Sequence, residues 1–297
     1  CVYCQLGRTR PVTMRREKYV PEHAVIDELK TTLANVDSGE IDWVTFVGSG
    51  ETLLHAEIGW MLREVKAMTD KPVAVITIGS LLWQPDVRWE WKVADAVLPS
   101  LDVGTSDLYR RINRPHRAIS FKRHVDGLIA FRDEYDGHLW VEVMLVRGLN
   151  DGEREIEDTA HQLKRVRPDE IHVNGPTRSP VEPWVEPPKA DTVNRACKVF
   201  ESVAPVRVVH STAGKVDLDT REPVVDAVAD VVTRHPLRRD ELVQALHQLD
   251  SGDVQDAITQ LEASDRLIVV TRGGIEYWVS AATHFPSDSG TRAAIEA

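Results

Sequence analysis

Two short segments carry residue types that could do chemistry. The first is Cys1-Val2-Tyr3-Cys4. Two thiols three positions apart can close on one metal ion, ligate an iron–sulfur cluster, or form a redox disulfide. A thioredoxin-like pair belongs at a helix N-terminus after a strand. Here a polar, basic stretch from Gln5 to Lys18 follows, then Pro21. A zinc site needs two more nitrogen or sulfur ligands, and the scattered histidines show no CxxH or HxxxH partner nearby. Structural or inert cysteines also stay open. The second segment runs from Val44 through Gly48-Ser49-Gly50-Glu51 to Leu53. A β-rich run enters a glycine turn, then a carboxylate, then a helix-like stretch. Glycine lets backbone approach a ligand closely, and the carboxylate would accept a hydrogen bond from a cationic amine. A plain strand-to-helix turn would look the same, and the spacing is not that of a dinucleotide or phosphate loop.

These segments need positioning elements. Apolar runs at Trp43–Val47, Val73–Ile78, Ala96–Leu101, Leu139–Val146 and Ile171–Val173 are nearly continuous, the pattern of parallel strands covered on both faces. Amphipathic stretches alternate with them. Val25, Ile26, Leu29, Leu33 and Val36 share one face, Leu53–Met68 and Ala118–Tyr135 follow, and Ile156, Ala160, Leu163 and Val166 recur at helical spacing. The alternation predicts a right-handed βα array, an open doubly wound sheet or a barrel. Pro176, Pro180, Pro183, Pro187 and Pro188 mark a stiff, extended connection. Asn174, Thr177 and Arg178 follow a strand directly, where α/β folds place ligand contacts.

A helix over Thr192–Val203 and a strand near Val206–His210 precede a change of character. Glu222–Arg234, Arg239–Leu246 and Val254–Ala263 read as three short helices, the third capped by Ser251-Gly252-Asp253. Leu267–Thr271, a Gly273-Gly274 turn and Ile275–Val279 read as a hairpin. Three helices and a two-stranded wing make the pattern of a winged helix-turn-helix.

The chain has 297 residues, a soft prior of two domains at ~150 residues each. It begins at Cys1 rather than Met, so the expectation is that its natural start lies upstream. No apolar run approaches the ~20 residues of a membrane span, and no secretory signal is visible, which points to the cytoplasm. Net charge is -11, against a broad nucleic-acid or anionic-membrane surface. From Asp219 to Ala297, fourteen acidic residues face seven arginines and no lysine. That module reads as a protein-contact or substrate-presenting domain rather than a duplex reader. Arg238, Arg239 and Arg272 are its expected anion contacts.

Taken together, the CxxC at the head of a βα array and Gly-x-Gly-Glu after the next strand resemble the radical S-adenosylmethionine (SAM) superfamily. Cys-Val-Tyr-Cys-Gln-Leu-Gly-Arg-Thr at 1–9 is similar to a group of Fe–S oxidoreductases related to tRNA wyosine synthases. So are Ile76–Leu82, Leu98–Asp102, Ile112–His116, Trp140–Val146 and Asn174–Val185, so the resemblance covers about residues 1–190. It implies a partial (βα)6 TIM-like barrel over 1–190; beyond it the residue pattern adds a connecting helix and strand over 191–218, a winged helix over 219–283 and a flexible tail over 284–297. It implies a [4Fe–4S] cluster held by Cys1, Cys4 and one cysteine upstream, its open iron chelated by SAM. One electron from a ferredoxin- or flavodoxin-type protein would cleave SAM to methionine and a 5′-deoxyadenosyl radical. Tyr3 would lie near adenine, Gly48, Gly50 and Glu51 would meet the methionine amino group, and Ser80, Ser100 and Asp102 are candidates for ribose or carboxylate contact. Ile78 stands where a polar residue is expected, a departure that bears on Ser80.

Several residues keep blander readings. Ser100 and Asp102 would also cap a turn, and Asn113 and Arg114 would also be loop solvation. Glu142 is a paired core carboxylate or points into the barrel mouth. Cys197 reads as a small core residue, Trp89 and Trp91 as packing, and His116 and His172 lie near strand ends or loops. The rival to the enzyme is a winged-helix regulator or scaffold with a silent barrel; a zinc or thiol-redox protein is the third reading. tRNA is a possible substrate that the charge disfavours.

Overall fold

The structure, a computed structural model, describes residues 1–8, 11–209, 218, 223–247 and 254–286. The described residues fall into two compact units. One comprises 12–174 and 188–209; the other joins 1–11, 175–187 and 210–297.

The first unit is a βα array. Its strands are β1 (Val44–Phe46), β2 (Val73–Thr77), β3 (Ala96–Pro99), β4 (His138–Met144), β5 (Glu170–Asn174) and β6 (Val206–Val208). They form one parallel sheet in sequence order. Of the two expected architectures, sequential order selects the singly wound, barrel-type array, because a doubly wound sheet reverses direction at a switch point. The segment expected as a connector supplies β6, which pairs with β5 and completes the sheet. The helices are α1 (Glu22–Asn35), α2 (Ile58–Met68), α3 (Pro85–Trp91), α4 (Ser106–Leu108), α5 (Phe121–Glu134), α6 (Glu153–Val166) and α7 (Ala190–Phe200).

Local sequence explains their limits. The Ser120 hydroxyl caps α5 by accepting from the Arg123 N–H at 3.2 Å. α6 ends at Arg167, in left-handed backbone at φ 57°. The expected helix from Leu53 starts only at Ile58, because Thr52–Leu54 form a separate 3-10 turn. Helix α3, with Pro85 in its first turn, and α4 with its π-helical continuation Tyr109–Asn113 were not expected.

The main core lies between sheet and helices. Leu62, Val65, Val75, Val97, Leu128, Val141, Val143, Leu163 and Val173 are fully buried there or nearly so. The other sheet face carries a smaller cluster of Ala74, Ala96 and Leu98 against Trp43, Ile76 and Trp140. β4 therefore alternates instead of running continuously apolar: Leu139, Val141 and Val143 are buried outward, while Trp140, Glu142 and Met144 line the inner face. Cys197 packs against the main core as expected. Trp91 is fully buried, but Trp89 is exposed and does not pack.

The second unit contains α8 (Val224–Arg234), α9 (Arg239–His247) and α10 (Val254–Ala263). With them stand β7 (Leu237–Arg238), β8 (Leu267–Arg272) and β9 (Ile275–Ser280) in an antiparallel β7-β9-β8 sheet. Gly273 and Gly274, at φ 56° and 80°, make the tight turn that Arg272 paired with Ile275 requires. Val228, Leu242, Leu261 and Trp278 form the core. The expected cap at Ser251-Gly252-Asp253 lies outside the described residues, as does the tail beyond Pro286. Cys1–Cys4 and the proline-rich stretch belong to this unit rather than to the barrel unit.

Candidate active site

Strand ends converge polar groups in the barrel unit. Gly48, Ser49 and Gly50 are exposed after β1, and a Cβ added at Gly50 would meet nothing within 4 Å. Glu51 is their fixed neighbour. Its carboxylate accepts from the Leu53 N–H at 3.0 Å, the Ser80 N–H at 3.1 Å and the Thr77 hydroxyl. The turn after β1 is thereby fastened to the end of β2. The Thr52 hydroxyl donates to the Ile76 carbonyl at 2.7 Å and tightens the same junction. Thr77, one residue before Ile78, supplies the polar group expected at that strand end, and it also accepts from the Gly79 N–H at 2.8 Å. Ser80 thus meets Glu51 through its backbone.

A second network lies at the ends of β3 and β4. Asp102, 2% exposed, accepts from the Met144 N–H at 2.9 Å and the Asn113 amide at 2.5 Å. Asn113 is buried, so it is not loop solvation. Asn150, fully buried, donates to the Asp102 and Met144 carbonyls at 2.7 and 2.8 Å. Ser100 bridges in register with Glu142, which settles on the inner face and accepts from the Asn174 amide at 2.9 Å. Burial, then the charge on Asp102, push the Glu142 carboxyl up to about 7. Tyr109 feels both carboxylates: burial, Asp102 and Glu51 raise its phenol above the ordinary range. It stacks on His124, whose Nε2 is 3.0 Å from the Ser100 carbonyl and which burial pulls down to about 4.

The other candidates have local partners. His172 pairs with Glu170 at 3.0 Å, and Glu170 takes Arg207 at 2.7 Å. His116 Nδ1 accepts from the Ala118 N–H at 3.2 Å. Arg114 ends the π turn in left-handed backbone at φ 46°.

In the other unit, Cys1 and Cys4 are half-buried and in no disulfide, and they sit on one turn closed by the Cys4 N–H donating to the Cys1 carbonyl at 3.2 Å. Two soft thiol ligands on a single turn fit two positions of an iron–sulfur cluster. Among the described residues, no group of three or more His, Cys, Asp or Glu converges as a complete metal site. Tyr3 is half-buried on the same turn. Arg178 binds Gln5 and His235. Arg272 is buried and donates to backbone carbonyls, and Arg238 and Arg239 lie in ion pairs with acidic residues of their own module. These three are therefore not open anion contacts.

Sequence reasoning missed Thr77, Tyr109, His124 and Asn150. The place of Thr77 at the end of β2 could have signalled it, whereas Tyr109, His124 and Asn150 reach the strand ends only through the fold.

Residues 1–163 match the family model described as the radical SAM superfamily. UPF0026 protein MJ1312 of Methanocaldococcus jannaschii is 30% identical over 285 residues, covering 94% of this chain and 87% of its own length. A protein named GTPase Obg from Brachyspira hyodysenteriae is 32% identical over 237 residues, 80% of this chain; the chain spans 35% of that longer protein. Among solved structures, SuiB of Streptococcus suis bound to S-adenosylmethionine superposes with a TM-score of 0.51 at 11% identity. That match covers 71% of this chain and 47% of SuiB and reflects the fold alone. The chain belongs to the radical SAM superfamily, whose members use a [4Fe–4S] cluster and S-adenosylmethionine.

Proposed function

We propose that this protein is an oxidoreductase-type radical SAM enzyme that generates a 5′-deoxyadenosyl radical to act on a substrate over the inner face of its sheet. The observation that carries the reading is the fastening of Glu51 to the end of β2, beside an exposed Gly48-Ser49-Gly50 turn. That turn is rigid yet open, as a binding edge for the methionine end of SAM must be. Cys1 and Cys4 would hold the cluster, with a further cysteine as third ligand. Bound there, the cluster supplies the electron that cleaves SAM reductively.

The chain's own residues orient and exclude. Gly48 and Gly50 give backbone access to the amino acid end, and Glu51 keeps that edge in place. Ser80, Ser100 and Asp102 would contact the ribose or carboxylate, and Tyr3 the adenine. Glu142, on the inner face with its proton held near neutral pH, would offer a hydrogen bond or a proton to substrate. A small ferredoxin- or flavodoxin-type donor would reduce the cluster. No described helix is long and apolar enough to cross a membrane. We read the second unit as a winged-helix module, a reading that the order of its three helices and antiparallel sheet supports.

Anaerobic reconstitution of the full-length protein with iron and sulfide, followed by incubation with dithionite and SAM, tests the reading. The expected products are methionine and 5′-deoxyadenosine. A fully loaded cluster with neither product would overturn it.

A further inference from the structure

The proline-rich stretch reads in sequence as a linker, yet it is tied to two other segments of its own unit. Toward the cysteine turn, the Glu182 N–H donates to the Val2 carbonyl at 3.2 Å, between the two thiols. The Glu182 carboxylate, 4% exposed, takes the Arg8 guanidinium through both oxygens at 2.9–3.2 Å. Arg178 reaches the Gln5 side chain at 3.2 Å. Toward the helical module, the same Arg178 donates to His235 Nδ1 at 2.6 Å. From β8, Arg272 donates to the Pro180 carbonyl at 3.0 Å and the Val181 carbonyl at 3.5 Å.

A third tie skips the stretch. The Arg8 N–H donates to the His284 carbonyl at 2.9 Å, just before the Pro286 carbonyl that Arg272 also holds at 2.9 Å. The start of the tail is therefore fastened, not loose. Gly7 sits at φ 80°, and an added Cβ would come within 3.0 Å of the His284 carbonyl oxygen. Only glycine allows that approach.

We propose that residues 178–182 are a splint through which the C-terminal module sets the geometry of the cysteine turn, with Arg8, Glu182 and Arg272 as positioning residues for the thiols. The proposal rests on reading Cys1 and Cys4 as cluster ligands. The chemistry suits the task. A bidentate guanidinium–carboxylate pair whose carboxylate is buried fixes both distance and orientation. Arginine's planar fork also aims separate N–H donors at two successive carbonyls in a fixed geometry, which lysine's ammonium on its flexible stem does not impose. Prolines at 176, 180 and 183 stiffen the strap, so a shift at β8 is carried to Val2 instead of being absorbed. On this view the module is part of the cluster site.

The test compares the full-length, reconstituted wild type with Glu182→Gln, Arg272→Lys, the single reversals Arg8→Glu and Glu182→Arg, and the double reversal. Iron release to bathophenanthroline disulfonate and the electron paramagnetic resonance spectrum of the reduced cluster are read. Glu182→Gln and Arg272→Lys should release iron roughly tenfold faster and change the spectrum. The double reversal should restore both toward wild type, while each single reversal does not. Amide hydrogen exchange of β8 and β9 verifies that the module stays folded in each variant. Wild-type release rates and spectra in both conservative variants would overturn the splint. If the wild type takes up no cluster, the cysteine reading fails by itself. Amide hydrogen exchange of residues 1–8 in the cluster-free chain then decides: faster exchange in both variants supports the splint, and unchanged exchange overturns it.

Discussion

Two buried carboxylates, one in each unit, are used in opposite ways. Glu182 closes on the Arg8 guanidinium, so its charge is matched inside its own pair. Asp102 accepts from an amide side chain and a backbone N–H, and its charge acts on its neighbours: it adds to burial, the larger cause, in pushing up the Glu142 carboxyl and the Tyr109 phenol. A matched buried pair is a tie. A carboxylate whose field perturbs other titratable groups at a strand end marks a place where chemistry is arranged. The barrel unit carries the groups that Asp102 perturbs, and the second unit carries the Glu182 tie and the thiols.

The sharpest break is at the thiols. Replacing Cys1 and Cys4 together by alanine should abolish cluster binding in the full-length protein, read as iron and sulfide content after reconstitution. Full iron content in that variant would remove the second unit from the chemistry.

Next come the two members of the glycine turn, which should part company. A side chain at Gly50 meets open space, so Gly50→Val should leave the melting temperature unchanged. It should still weaken SAM binding roughly 10- to 150-fold, if backbone approach there holds the charged amine. Glu51→Ala strands the Ser80 and Leu53 N–H groups, and should lower stability by about 1–3 kcal/mol besides weakening SAM binding. Equilibrium dialysis with SAM and thermal melts separate the two effects. Unchanged affinity in Gly50→Val would take the turn out of the site.

How far this was legible in the sequence follows the range of the interactions. Cys1, Cys4 and Gly48 to Glu51 are local signals, and strands alternating with helices announced a parallel βα array, though not the sequential strand order that chose between its two architectures. Asp102 was visible as a strand-end residue, but Asn150 and Glu142 join it from β4 and beyond, contacts that no spacing announces. Helix α3 escaped because its seven residues are too few to show a periodicity. The splint escaped for a stronger reason. Arg8 and Glu182 lie 174 positions apart, and a run of prolines looks the same whether it spans a gap or braces a turn.

Glu142 and His124 set up a compensated pH response. Glu142 rises from 4.5 to about 7 on folding. It binds its proton more tightly when folded, so its contribution is full below 4.5 and is lost as pH rises through 7. His124 falls from 6.5 to about 4, so its contribution is full above 6.5 and is lost as pH falls through 4. The two slopes oppose each other between 4.5 and 6.5, each on the order of 1–3 kcal/mol. Wild-type stability from these groups should be nearly flat there. Glu142→Gln should expose the histidine slope, with stability falling steadily as pH drops from 6.5. Urea midpoints at half-unit pH steps read it, and a Glu142→Gln profile parallel to wild type would mean that Glu142 is not perturbed.

The smallest effect is expected where winged helices often act, on duplex DNA. Phosphate contacts need cations that are free to meet them. Among the described arginines of the module, Arg238 faces Asp240 and Glu241, Arg239 faces Glu262 and Glu276, and Arg266 faces Asp226 and Asp230. Arg272 is turned into backbone carbonyls. Exposed pairs of this kind are each worth about 0–1 kcal/mol, so they add little stability, but they set acidic oxygens where phosphates would have to approach. α10 carries Asp256 and Glu262 and no basic residue. Duplex DNA titrated into the full-length chain near physiological salt should therefore bind no tighter than ~10⁻⁴ M. Micromolar binding that falls steeply with added salt would show that the module reads nucleic acid, and its ties to the cysteine turn would then link DNA occupancy to the thiols.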